Sequence, residues 1–74
     1  MLLSDLVPGR QGRIKAVRGG RESCARLAAL GFVPGTRVQA ERPAPGGDPA
    51  VFSLRGYTLA LRLEEAKRVE VEAE

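Results

Sequence analysis

The chain has no histidine, no tryptophan, one cysteine and three aromatic residues among 74. Without histidine it lacks the commonest general base and the commonest transition-metal ligand. A catalytic triad or a Cys/His metal site built from this chain alone is excluded. A single cysteine cannot close an internal disulfide, which suits a reducing compartment, and the cytoplasm is the expected location. No apolar run approaches the roughly 20 residues of a membrane span. The opening Met-Leu-Leu-Ser-Asp lacks a basic segment followed by an apolar stretch, so no secretory signal is expected.

What is present is an ordinary globular mixture, 43% hydrophobic and 28% charged, with a net charge of +3. That length argues for one domain spanning 1–74, too small to enclose a large cofactor pocket, and no cofactor is expected. Charge is unevenly placed. Residues 1–37 carry seven basic and two acidic side chains, whereas residues 38–74 carry five and seven. An N-terminal basic face suited to an acidic partner or to the surface of an anionic membrane is the implication.

Turn signals at Pro8-Gly9, Gly19-Gly20, Pro34-Gly35, 43–49 and Gly56 cut the chain into short segments. Between them the apolar period is two. Ile14 and Ala16, Val38 and Ala40, Phe52 and Leu54, Val69 and Val71 alternate with polar neighbours. Tyr57, Leu59, Leu61 and Leu63 make the longest row in phase. Each pattern is that of a strand with one dry face. Residues 22–30 break the rhythm: alanine and leucine dominate, and Gly31 is a natural helix stop. In that helix Cys24, Leu27 and Ala28 share the inward face, and Glu22 pairs with Arg26 four residues on. Short helical turns are expected near 4–7, where Ser4 or Asp5 caps, and near 63–67.

Five short strands and one inserted helix predict a mainly β domain, a small SH3-like barrel whose closure hides its strand edges. An open-ended OB-like barrel is the alternative. The expected interior is Ile14, Ala16, Val38, Ala40, Phe52, Leu54, Leu59, Leu61, Val69 and Val71, with Leu27 and Ala28 closing one end.

Candidate chemistry is sparse. Gly19-Gly20-Arg21 ahead of the helix resembles a phosphate-cradling turn, but it lacks the third glycine and the Lys-Ser or Lys-Thr such turns carry, and reads as a hinge. Cys24 reads as a small apolar filler. Glu70, Glu72 and Glu74 fall on one face of the last strand and read as a solvated row rather than a cation site. Arg10, Arg13, Lys15, Arg18 and Arg21 form a basic stripe. With Phe52 and Tyr57 in core phase, Phe32 is left as the one stacking platform, so nucleic acid is not an expected partner. Phe32 and Val33 stand together in a connection where only one can face the core. Phe32 either caps the barrel mouth as a core residue or forms an apolar docking spot rimmed by Arg21 and Arg26, and that spot is the candidate surface. Self-association through Phe32 is compatible with the same pattern.

Leu27-Ala-Ala-Leu-Gly-Phe-Val-Pro-Gly-Thr36, Val38, Ala44-Pro-Gly-Gly-Asp-Pro49, Arg55-Gly-Tyr-Thr-Leu-Ala-Leu-Arg62, Glu65-Ala66 and Val69-Glu-Val71, with the opening Leu3-Ser-Asp-Leu-Val-Pro-Gly9, resemble the FeoA proteins of bacterial ferrous iron uptake. The resemblance covers nearly the whole chain. It implies a cytoplasmic SH3-like barrel, related to the C-terminal module of iron-dependent repressors. Such a barrel would work beside FeoB, a membrane ferrous-iron transporter with a cytoplasmic GTP-binding domain, and would meet the membrane only through that partner. The expected function is that of an accessory module, not an enzyme, with Arg21, Arg26, Leu30, Gly31 and Phe32 as its contact surface. The alternative it implies is a metal-responsive regulatory module that binds a transition metal directly, although this chain offers only Cys24 and no histidine. Phe32 departs from the aliphatic residue expected at its position.

Overall fold

Each run of alternating apolar residues forms a strand in the computed structural model, which describes residues 1–43 and 46–74, except that Leu63, in phase with β4, opens a helical turn instead. Strands β1 (Gln11–Val17), β2 (Arg37–Pro43), β3 (Ala50–Leu54), β4 (Tyr57–Leu61) and β5 (Val69–Ala73) form one antiparallel sheet in the order β4-β3-β2-β1-β5. The expected helix is α1 (Arg21–Ala29), and the turn near 63–67 is α2 (Leu63–Ala66). The first turn is a 3-10 turn, Leu3–Asp5, in which the Asp5 carboxylate accepts from the Leu2 N–H at 3.1 Å. Ala44 and Pro45, in the turn stretch expected over 43–49, lie outside the described residues.

The strands wrap one core. Ile14, Val38, Ala40, Phe52, Leu54, Leu61, Val69 and Val71 are buried, as the alternation predicts. Leu3, Leu6, Leu27, Phe32 and Ala66 join them from the helices and connections. Burying a side chain of this size stabilises the fold by about 1.5–3 kcal/mol relative to leaving it in water. Ala16 and Leu59 are only half-buried. At Ala16 the cause is a register shift between Ile14 and Ala16, where one extra residue turns the chain and brings Val17 against the core as well. Leu59 lies on β4, the last strand in the sheet order, whose inner face is flanked on one side only.

The aromatic residues differ from expectation at Tyr57, and at Phe32 burial decides for the capping reading over the docking one. Tyr57 is in phase with Leu59 and Leu61 but stands at the hairpin tip, beyond the covered part of the sheet, and is 41% exposed. Phe32 is 0% exposed. Its burial follows from how α1 ends. Leu30 caps the helix and Gly31 turns with φ +108. The Gly31 N–H donates to the Ala28 carbonyl at 2.9 Å, and the Phe32 N–H reaches back to the Leu27 carbonyl at 3.0 Å. This is the Schellman arrangement, which turns the residue after the glycine back toward the residue five before it. Leu27 and Phe32 accordingly enter the same core cluster. Ala28, expected to help close the barrel, faces solvent instead.

The sheet order has two ends, so β4 and β5 are not hydrogen-bonded to one another and the barrel is not closed along that seam. The edges are therefore not both hidden. β5 is covered by the first two residues, through an isolated bridge between Leu2 and Glu70. β4 has no strand partner on its outer side among the described residues.

Candidate docking surface

The five residues expected to form one contact surface do not come together. Arg21 opens α1 and Leu30 caps it, which separates them by roughly 13 Å along the helix axis. Arg21 is exposed. Arg26 is exposed too, but its guanidinium pairs with Glu65 of α2 rather than with Glu22. The tertiary fold places Glu65 of α2 within reach of α1 and so supplies a carboxylate that the i, i+4 spacing did not foresee. Phe32, buried in the core, presents no apolar area to a partner and is removed from the surface. Leu30 and Gly31 remain, both half-buried.

What surrounds Leu30 and Gly31 is the tip of the β3–β4 hairpin, which sequence reasoning did not place there. Arg55 and Gly56 form a two-residue turn with both φ positive, +52 and +86, the type I′ geometry that matches strand twist. From this turn the Arg55 stem lies over Gly31. A Cβ at Gly31 would stand 3.1 Å from Arg55 Cδ and 3.3 Å from Leu54 Cδ1. The Tyr57 hydroxyl donates to the Leu30 carbonyl. The end of α1 and the hairpin tip are thus tied into one corner, exposing Arg55 and Tyr57. Beside it an open groove of about 450 Å³ runs over the outer face of β2, β3 and β4, between Arg37, Gln39, Ser53, Arg55, Tyr57 and Thr58. The sequence signal for this corner was Gly56 after a residue that must accept a positive φ, but nothing local says what the tip touches.

The acidic row on β5 is not simply solvated. Sheet order sets β5 against β1, so the acidic end of the chain meets the basic beginning. Arg18 binds Glu70 at 2.6 Å, while Arg13 and Arg37 converge on Glu74 at 3.1 and 2.8 Å. The Arg18 hydrogen bond, then its charge, hold the Glu70 carboxyl below the ordinary carboxylate range. At Glu74 burial pushes upward, but the Arg13 hydrogen bond and the charges of Arg37 and Arg13 outweigh it and leave the carboxyl lowered. Arg10, Lys15, Arg21, Arg42, Arg55, Lys67 and Arg68 make no ion pair among the described residues.

For a metal the donor set is thin. Among the described residues no group of three or more His, Cys, Asp or Glu is placed to hold an ion. Cys24 is half-buried, its thiol directed at the Val17 and Gly19 carbonyls at 3.7 and 3.5 Å. Among the described residues no helix is long and apolar enough to cross a membrane.

A curled five-stranded antiparallel sheet, with a helix between its first two strands and a short one before its last, defines a domain of the SH3-like class. A model of the FeoA domain matches residues 1–73, and the chain belongs to that family. It is 36% identical over 72 residues to the Fe(2+) transport protein A/Fe(2+) transporter FeoB fusion protein of Porphyromonas gingivalis, covering 97% of this chain and 8% of that protein. The solution structure of iron(II) transport protein A from Clostridium thermocellum is 41% identical with a TM-score of 0.93, covering 99% of this chain and 45% of that one. Stenotrophomonas maltophilia FeoA, solved with zinc and described as an SH3 domain protein, is 34% identical with a TM-score of 0.85, covering 97% of this chain and 89% of that one. This chain therefore spans under a tenth of the fusion protein and less than half of the Clostridium chain. The fold alone recurs in T. acidophilum IdeR, at 19% identity and a TM-score of 0.86 over 34% of that chain.

Proposed function

We propose that this chain is a cytoplasmic accessory domain of ferrous iron uptake. It docks on the cytoplasmic GTP-binding region of a FeoB-type transporter and modulates transport, leaving nucleotide hydrolysis to that partner. The observation that carries this reading is the Porphyromonas gingivalis fusion, in which a segment matching 97% of this chain belongs to one polypeptide named for both transport protein A and the transporter FeoB. Covalent linkage holds two domains at high effective concentration, which serves function when the domains work together. The physical form fits a binding module: an apolar core filled by its own side chains, and function carried by exposed loops and edges. The docking surface takes in Leu30 and Gly31 with Arg55 and Tyr57; Arg55 and, at the far end of α1, Arg21 add positive charge that sets orientation and on-rate, while Arg26 is engaged by Glu65.

The test is direct association of the purified chain with the transporter's cytoplasmic region, with and without a GTP analogue, read by calorimetry. Saturable binding that weakens when Leu30 is replaced by serine is expected. Absence of binding at concentrations well above micromolar in both nucleotide states would overturn the reading.

Direct transition-metal binding is the second reading, favoured by the zinc in the Stenotrophomonas maltophilia relative. With one cysteine and no histidine in the chain, such a site would be built mainly of carboxylates. Zinc titration separates it from docking, since a specific site raises thermal stability by mass action.

A further inference from the structure

The two outer strands of the sheet are treated differently. Along β5, the Met1 amino group donates to the Val71 carbonyl at 3.2 Å and the Val71 N–H donates to the Met1 carbonyl at 2.8 Å, so that edge is occupied. Along β4 nothing comparable occurs among the described residues. The two-residue turn makes Leu54 and Tyr57 the hydrogen-bonded pair that closes the hairpin. Alternation along an antiparallel ladder then assigns the same role to Phe52 with Leu59 and to Ala50 with Leu61. The main-chain groups of Thr58 and Ala60 consequently point away from β3, and both residues are exposed.

Free edges in natural proteins are ordinarily guarded by proline, a bulge or a charge within the strand. The segment Tyr-Thr-Leu-Ala-Leu has no charge and no proline, and its register with β3 is unbroken. Cations stand only at its two ends: Arg55 in the turn and Arg62 just after the strand, both exposed. Arg62 has Asp48 at 3.6 Å, with both side chains largely in solvent, an arrangement that neutralises little. The result is an uncharged rail of main-chain donors and acceptors between two arginines. Tyr57, held by the Leu30 carbonyl, adds an oriented aromatic ring at one end.

The geometry points to the β4 edge as a docking site for an acidic extended segment of a partner protein, which adds as a sixth strand. Main-chain bonds form to Thr58 and Ala60, and carboxylates of the segment meet Arg55 and Arg62. Charge decides against a second copy of this chain. Pairing β4 with β4 about a two-fold axis brings Arg55 of one copy beside Arg62 of the other at both ends, a like-charge contact that an acidic strand converts into attraction. The assignment rests on the docking reading above and adds to it the chemistry of the segment that is bound.

The experiment titrates the isotope-labelled full chain with a blocked octapeptide alternating valine and glutamate, and with its valine–lysine counterpart. The glutamate peptide is expected to shift the Thr58 and Ala60 amides and to slow their exchange with solvent. Its dissociation constant should rise about tenfold in Ala60→Pro and again in the double variant Arg55→Glu/Arg62→Glu. Ala60→Pro removes an N–H that has no partner within the sheet, at an edge position where proline is tolerated. Unmoved Thr58 and Ala60 amides, or equal binding of the lysine peptide, would overturn the assignment. A second titration uses the cytoplasmic region of a FeoB-type transporter. Binding there that is indifferent to Ala60→Pro overturns the edge assignment and leaves docking standing. Failure to bind that region while the glutamate peptide still occupies β4 overturns the docking reading and leaves the edge assignment standing.

Discussion

Truncating Phe32 to alanine separates a core residue from a docking residue. The side chain is 0% exposed and shares a cluster with Leu27 and the strand interior. Removing a buried phenyl ring costs about 3–5 kcal/mol, from lost transfer energy and the cavity left behind. At roughly 0.05–0.15 kcal/mol per residue, a chain of 74 residues has a total stability of about 4–11 kcal/mol. The substitution therefore removes between a quarter and all of it. Urea unfolding followed by circular dichroism should show the midpoint falling with little change in slope, and Tm should drop by more than about 12 °C. Phe32→Leu keeps most of the volume and should lose no more than about 1.5 kcal/mol. A loss below about 1 kcal/mol for Phe32→Ala would return this residue to the surface and refute the account of how α1 ends.

Gly31→Ala combines a positive φ with a Cβ 3.1 Å from Arg55 Cδ, so thermal unfolding should show a loss of about 1–3 kcal/mol; a loss of a few tenths would mean that the α1–hairpin corner is loose. Acid should weaken the β1–β5 seam. Glu70 and Glu74 titrate below the ordinary carboxylate range in the folded chain, so the stability they contribute is fully present above the unfolded carboxylate pKa and is lost as pH falls through their lowered folded values. Glu70→Gln/Glu74→Gln should flatten the decline of Tm between neutral pH and pH ~3, and an unchanged profile would show that the arginine pairing is not linked to folding.

Much of the fold was legible because alternation is local. A residue two places along a strand points the same way whatever the rest of the chain does. Ile14, Val38, Phe52, Leu61, Val69 and Val71 could be assigned to the interior on that ground alone. The rule failed at Ala16, where a bulge changes phase, and at Tyr57, where the strand runs past its cover. The burial of Phe32 was legible in principle: a leucine four before a glycine, followed by an apolar residue, is the pattern of a Schellman stop with its hydrophobic contact. Reading Phe32 and Val33 as a connection without following the helix stop through to its contact hid it. Of the expected contact surface, Leu30 and Gly31 stand together, while Arg55 and Tyr57 beside them were invisible because they arrive from a hairpin more than twenty residues away in the chain.

By itself the amino-acid order determined where strands begin and stop, where the helix ends, and which side chains prefer water, since these depend on neighbours within a few positions. Only the tertiary structure decided that β5 lies against β1, which joins the acidic end of the chain to its basic start. It also decided that Arg26 turns to Glu65, and that the N-terminal residues cover the β5 edge of the sheet while β4, among the described residues, has no strand on its outer side. Those outcomes come from closing one core with every strand at once, a global packing condition that no short window of residues contains.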